Sequence, residues 1–132
     1  MAINVKTTFT SDTEGIVESR SGKADMSFTG KNLAPYEFFL GGYAGCLHAT
    51  FKDILNKKKI SFNEITYDIT GVKREEIPTT LKEVTVRVSI TGAEKEKQKA
   101  IIKSMDLAEK YCSISAMIQM IANIDITIAF LD

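Results

Sequence analysis

The sequence has no tryptophan, a single histidine and only two cysteines in 132 residues, and each scarcity closes off a class of function. His48 stands alone, and neither Cys-x-x-Cys nor His-x-x-x-His occurs, so the ligands of a closed tetrahedral zinc site are lacking and no metal is expected. The glycine-rich cradles that hold phosphates, Gly-x-x-x-x-Gly-Lys-Ser/Thr and Gly-x-Gly-x-x-Gly, are missing. Without tryptophan and with few tyrosines, an aromatic platform for bases is not expected either. Seventeen basic residues cancel 17 acidic ones, which leaves no net field to draw nucleic acid or an anionic membrane. No run of 18 apolar residues is present, which argues against a membrane-spanning helix. The first six residues, Met1 to Lys6, lack the zones of a signal peptide. The expected home is the cytoplasm, where the two cysteines are reduced at rest and a structural disulfide would be the exception.

What is present reads as one α+β domain spanning residues 1–132, with mostly antiparallel strands. No repeat, low-complexity tract or linker interrupts it. Asn4 to Thr10, Gly15 to Ser19 and Ala24 to Thr29 carry strand patterns, separated by turn signals at Thr13-Glu14-Gly15 and Ser21-Gly22-Lys23. Pro35 suits the first position of a helix, which the lysines at 57–59 close at its negative end. Strands are expected over Ile65 to Arg74 and Leu81 to Thr91, the second alternating Val84, Val86, Val88 and Ile90 with polar residues. A second helix is predicted over Ala93 to Tyr111. A third starts after a break at Ser113-Ile114-Ser115 and reaches about Ala122. The chain closes with a strand from Ile124 to Leu131.

Two stretches stay free of charge for 14 residues each, Phe38 to Phe51 and Tyr111 to Ile124, and each holds one cysteine, Cys46 or Cys112. A helix apolar all round is expected to be buried on all sides. Gly41, Gly42 and Gly45 disfavour the first of these helices, which suggests close approach by another backbone. Cysteine is often no more than a small buried hydrophobe, and that bland reading competes with a reactive one. Cys112 falls at a helix start, where the dipole favours a thiolate. Cys46 sits mid-helix, so its activation calls for a nearby cation. His48 is turned about 200° away from Cys46 around the helix and is expected to be half-exposed or hydrogen-bonded, without a catalytic role.

The stretch Pro35-Tyr36-Glu37-Phe38-Phe39-Leu40-Gly41-Gly42-Tyr43-Ala44-Gly45-Cys46 resembles the central-helix signature of the OsmC/Ohr proteins, and Cys112-Ser113-Ile114-Ser115 is similar to that family's second motif, usually Cys-Pro-x-Ser. The element order and the cysteine separation extend the resemblance over nearly the whole chain. It implies an intertwined homodimer that reduces organic hydroperoxides without metal, flavin or haem. In this scheme Cys46 is peroxidatic and Cys112 resolving, and an external dithiol, lipoyl groups in some members, regenerates the thiols.

The resemblance also implies an arginine and an acid beside the thiolate. Arg20 is the one arginine among the N-terminal strands, and it could equally be a solvated turn residue. Glu37 matches the acid, but lies nine residues before Cys46, about 13.5 Å along a helix, so it could act only through an arginine or across a dimer interface. It could equally be a first-turn carboxylate serving the helix dipole. Phe38, Phe39, Tyr43, Met117 and Met120 are expected either to line an apolar substrate pocket or to form core and interface. Ser113 and Tyr36 depart from the family pattern, at a usual proline and at a position that holds the acid in some members. Besides a peroxidase, the sequence admits a non-peroxidase dimer that binds a small apolar ligand, or a thiol redox sensor.

Overall fold

A computed structural model describes all 132 residues and gives a mixed α+β fold. The order is β1 (Lys6–Phe9), β2 (Glu14–Ser19), β3 (Gly22–Ser27), α1 (Pro35–Lys57), β4 (Glu64–Lys73), β5 (Leu81–Thr91), a 3-10 turn (Lys95–Lys97), α2 (Gln98–Tyr111), α3 (Ser113–Gln119) and β6 (Asn123–Leu131). Contacts group the chain into two compact units, Met1–Gly41 and Gly42–Asp132. The sequence, lacking any linker, reads as one. No helix is long and apolar enough to cross a membrane.

The first unit holds an antiparallel meander in the order β1-β2-β3. Ser19 pairs with Gly22, so Arg20 and Ser21 form a two-residue turn, a geometry that favours glycine with positive φ beside it. Gly15 is required by contact rather than by conformation: a Cβ there would stand 2.8 Å from the ring of Phe9, its neighbour across the pair.

The unit also contains the start of α1. Pro35 takes the first helical position, and the carboxylate of Glu37, two residues on, accepts the Ala34 N–H at 2.7 Å. One of the donors that every helix leaves orphaned at its N-terminus is thereby satisfied.

In the second unit, β5 is the central strand of a sheet ordered β4-β5-β6. Its alternation buries Val84, Val86, Val88 and Ile90 on one face. They share a core with Tyr43, Leu47, Phe51 and Leu55 of α1 and with Ile101, Met105 and Ala108 of α2. The α1 residues recur every four positions and so form one stripe along the helix. The helix ends where Lys59 turns left-handed at φ 57° and the Ile60 N–H returns to the Leu55 carbonyl at 3.0 Å, which buries Ile60.

The strands are mostly antiparallel, as expected: β4 pairs with β5 antiparallel, and only β6 pairs in parallel, with β5, because the helical segment between them carries the chain back across the sheet before β6 begins. Three expectations need correction. The second helix opens as a 3-10 turn at Lys95–Lys97, with the α-helix proper from Gln98. The third ends at Gln119 rather than near Ala122. Finally, α1 is not buried all round. Only Tyr43, Leu47, Phe51 and Leu55 are enclosed, and added Cβ atoms at Gly41, Gly42 and Gly45 would meet nothing within 4 Å. Within one chain, these glycines face open space instead of another backbone.

Candidate active site

The site is built from the middle of α1 and the junction between α2 and α3. Cys46 follows Tyr43 by three residues, which places it beside the buried stripe, and it is partly buried. Cys112 ends α2 and begins α3. Its backbone is extended there (φ −70°, ψ 122°), and its sulfur accepts the Ser115 N–H at 3.4 Å, so the cysteine is the N-cap of α3. Cys112 is fully buried.

The two sulfurs lie 3.1 Å apart as free thiols, with the Cys112 S–H donating to the Cys46 sulfur. A disulfide needs about 2.05 Å, so bond formation asks for a shift of about 1 Å and no reorganisation of the fold. Cys46 also meets the hydroxyl of Ser113 at 3.8 Å. Behind the pair, the Tyr43 hydroxyl contacts the Ser115 hydroxyl at 3.3 Å, and burial, partly offset by that contact, pushes the Tyr43 pKa to about 12.

The electrostatics distinguish the two thiols. Burial opposes ionisation of Cys46, but the Ile114 N–H, the Cys112 thiol, and the hydroxyl and N–H of Ser113 outweigh it and hold the Cys46 pKa below that of an ordinary thiol. Cys112 moves the other way. Burial raises its pKa, as does its hydrogen bond to Cys46, and the N–H groups of Ser115 and Ile114 only partly compensate. Of the two, Cys46 is therefore the readier to ionise and Cys112 the readier to keep its proton. The helix start was expected to favour a thiolate at Cys112; instead the amides that open α3 also serve the cysteine of the neighbouring helix and help to lower the Cys46 pKa.

The other candidates fall in various places. Arg20 is exposed in the β2–β3 turn, and Glu37 is engaged by Ala34. Both belong to the first unit, as do Phe38, which is partly buried, and Phe39, which is 40% exposed and edge-on to Tyr36. Tyr43 is a core residue. Met117 and Met120 are exposed on and just beyond α3. His48 is half-buried, with Nδ1 3.0 Å from the Tyr67 hydroxyl. Burial first and Lys52 second push its pKa down.

Sequence reasoning passed over Ser115 and Ile114, which contribute to the site mainly through main-chain N–H groups that any residue but proline would supply. It noted Ser113 as a helix start and as a departure from the usual proline, but not as a contact of Cys46.

Fold and site together define a small α+β protein with two free cysteines whose sulfurs are in contact. A family model described as OsmC-like protein matches residues 28–128. The Escherichia coli protein YhfA is 31% identical over 111 residues, covering 81% of this chain and 82% of its own. An OsmC-like protein from Mycoplasma pneumoniae superposes with a TM-score of 0.87 at 18% identity over 100% of this chain and 99% of its own. An organic hydroperoxide resistance protein from Legionella pneumophila superposes at 0.72 and 19% identity, covering 98% and 97%. The chain belongs to the OsmC-like protein family.

Proposed function

We propose that the protein is a cytoplasmic thiol peroxidase that reduces organic hydroperoxides, with Cys46 as the attacking thiolate and Cys112 as the resolving thiol. The observation that carries this reading is the 3.1 Å separation of two sulfurs whose ionisation preferences diverge. A lone buried cysteine would need neither. The Legionella structure, named for organic hydroperoxide resistance, lends support through its fold.

In the first step, the Cys46 thiolate attacks the terminal oxygen of ROOH. An S–O bond forms, the O–O bond breaks, and RO⁻ leaves and takes one proton to become ROH. In the second, Cys112 attacks the sulfenic sulfur, and its proton departs with the hydroxyl as water while the disulfide forms. An external dithiol, such as a lipoyl group, then returns two electrons and two protons and is itself oxidised to a disulfide.

The working form is proposed to be a homodimer. Open space beyond Gly41, Gly42 and Gly45 leaves room for a second copy against α1. Arg20 and Glu37 are proposed to complete the site in that assembly, and exposed Phe39, Met117 and Met120, with Phe38, to receive the organic portion of the peroxide.

The test is mass spectrometry after one equivalent of cumene hydroperoxide. The expected product is two protons lighter and maps to a Cys46–Cys112 link. An unchanged mass in the intact protein would overturn the proposal.

A further inference from the structure

Cys46 has two side-chain partners, and they differ in their access to solvent. Cys112 is fully buried, whereas Ser113 is exposed. A thiolate has no proton to give, so once Cys46 is ionised the 3.8 Å contact with Ser113 can only run from the serine O–H to the sulfur. The Cys112 S–H also points at that sulfur, but Cys112 is fully buried, so water does not reach it to replace a proton given up during O–O cleavage. The Ser113 hydroxyl keeps its own, since solvent replaces any proton it passes on.

We propose that Ser113 is a further catalytic residue, donating its hydroxyl to the Cys46 sulfur before attack and to the departing alkoxide oxygen during O–O cleavage. The inference rests on the peroxidase reading above. The bookkeeping closes: the electron pair of the O–O bond leaves on RO⁻, the Ser113 proton completes ROH, and one proton from water restores the serine. Nothing is oxidised except Cys46 and nothing is reduced except the peroxide. Ser113 is exposed and Cys112 enclosed, so of the two side-chain partners of Cys46 it is Ser113 that solvent and an incoming peroxide can reach.

The test compares full-length wild type with Ser113→Ala and Ser113→Thr in two assays. The first follows alkylation of Cys46 by iodoacetamide against pH, located by peptide mapping, and needs no peroxide. Loss of one donor to a charged sulfur is expected to slow alkylation about threefold to tenfold in the pH range below the Cys46 midpoint. Threonine, which keeps the hydroxyl, should restore most of the rate. The second assay follows hydroperoxide consumption with a dithiol, where Ser113→Ala should fall at least as far and threonine should again recover it. Identical alkylation and turnover in wild type and Ser113→Ala, or a threonine variant no better than alanine, would overturn the role of Ser113 while leaving the peroxidase reading intact. A wild type that consumes no hydroperoxide would overturn the peroxidase reading instead and, with it, the alkoxide half of the Ser113 role. The alkylation series would still decide the thiolate half.

Discussion

Tyr43 and Ser115 meet through their hydroxyls at 3.3 Å in the buried core, and each lies three residues from one of the two cysteines. Three residues is about one helical turn. The contact therefore joins α1 to α3 one turn from the sulfurs, on the side away from solvent, and helps to set the distance between Cys46 and Cys112.

Removing that clasp should loosen the protein. Tyr43→Phe is expected to cost about 1–2 kcal/mol, the usual loss for a buried hydrogen bond whose partner stays enclosed, read from urea unfolding at neutral pH. The cost should depend on pH. Tyr43 ionises near 12 in the folded chain against an ordinary value of 10, so its contribution is complete below about 10 and fades as pH rises toward 12. Unfolding curves for wild type and Tyr43→Phe should converge across that window. A constant gap would place the effect elsewhere.

Cys112→Ser removes the proposed resolving thiol but keeps a hydroxyl at the start of α3. With one equivalent of hydroperoxide, this variant should accumulate the Cys46 sulfenic acid, detected as a dimedone adduct, whereas wild type should give little adduct and form the disulfide. Cys46→Ser should abolish peroxide consumption. A Cys112→Ser protein that turns over at the wild-type rate would show that resolution runs through another thiol.

The single histidine offers an unambiguous proton signal. Burial and Lys52 favour neutral His48, so its NMR titration midpoint should fall below 6.5. A group whose pKa is depressed on folding in this way stabilises the protein fully above the unfolded value and loses that contribution as pH falls through the folded one. A midpoint at or above 6.5 would contradict the packing against Tyr67.

Glu37 allows capping and charge to be tested apart. Glu37→Gln keeps an oxygen for the Ala34 N–H, so its stability should be close to wild type, whereas Glu37→Ala should lose about 0.5–1 kcal/mol. If the carboxylate also serves the dimeric site, Glu37→Gln should lower hydroperoxide turnover without changing the unfolding midpoint. Full activity in the glutamine variant would restrict Glu37 to capping.

Much of the scaffold was legible because it rests on periodic side-chain patterns. β5 runs from Leu81 to Thr91 as its alternating valines require, and α1 starts at Pro35 and ends at Lys57. The strand that follows α3 was also found, but its direction was not. Alternation marks which residues face inward and is blind to whether the neighbouring strand runs parallel. The site was legible as two thiols on two apolar helices, but not in its polarity. The groups that favour the Cys46 thiolate include the N–H groups of Ile114 and Ser113, and main-chain donors have no letter in a sequence. Glycine misled for a related reason. Gly41, Gly42 and Gly45 mark a bare strip of helix, and composition alone does not say what lies opposite.

The parallel return of β6 has a mechanical consequence. Cys112 rides on a crossover whose two ends are stitched into the same sheet, one to β5 and the other through β6 beside it. A tether anchored at both ends holds its cysteine close to the sheet. In the proposed cycle, the peroxide and the reducing dithiol would therefore have to be small or slender enough to reach the sulfurs where they stand.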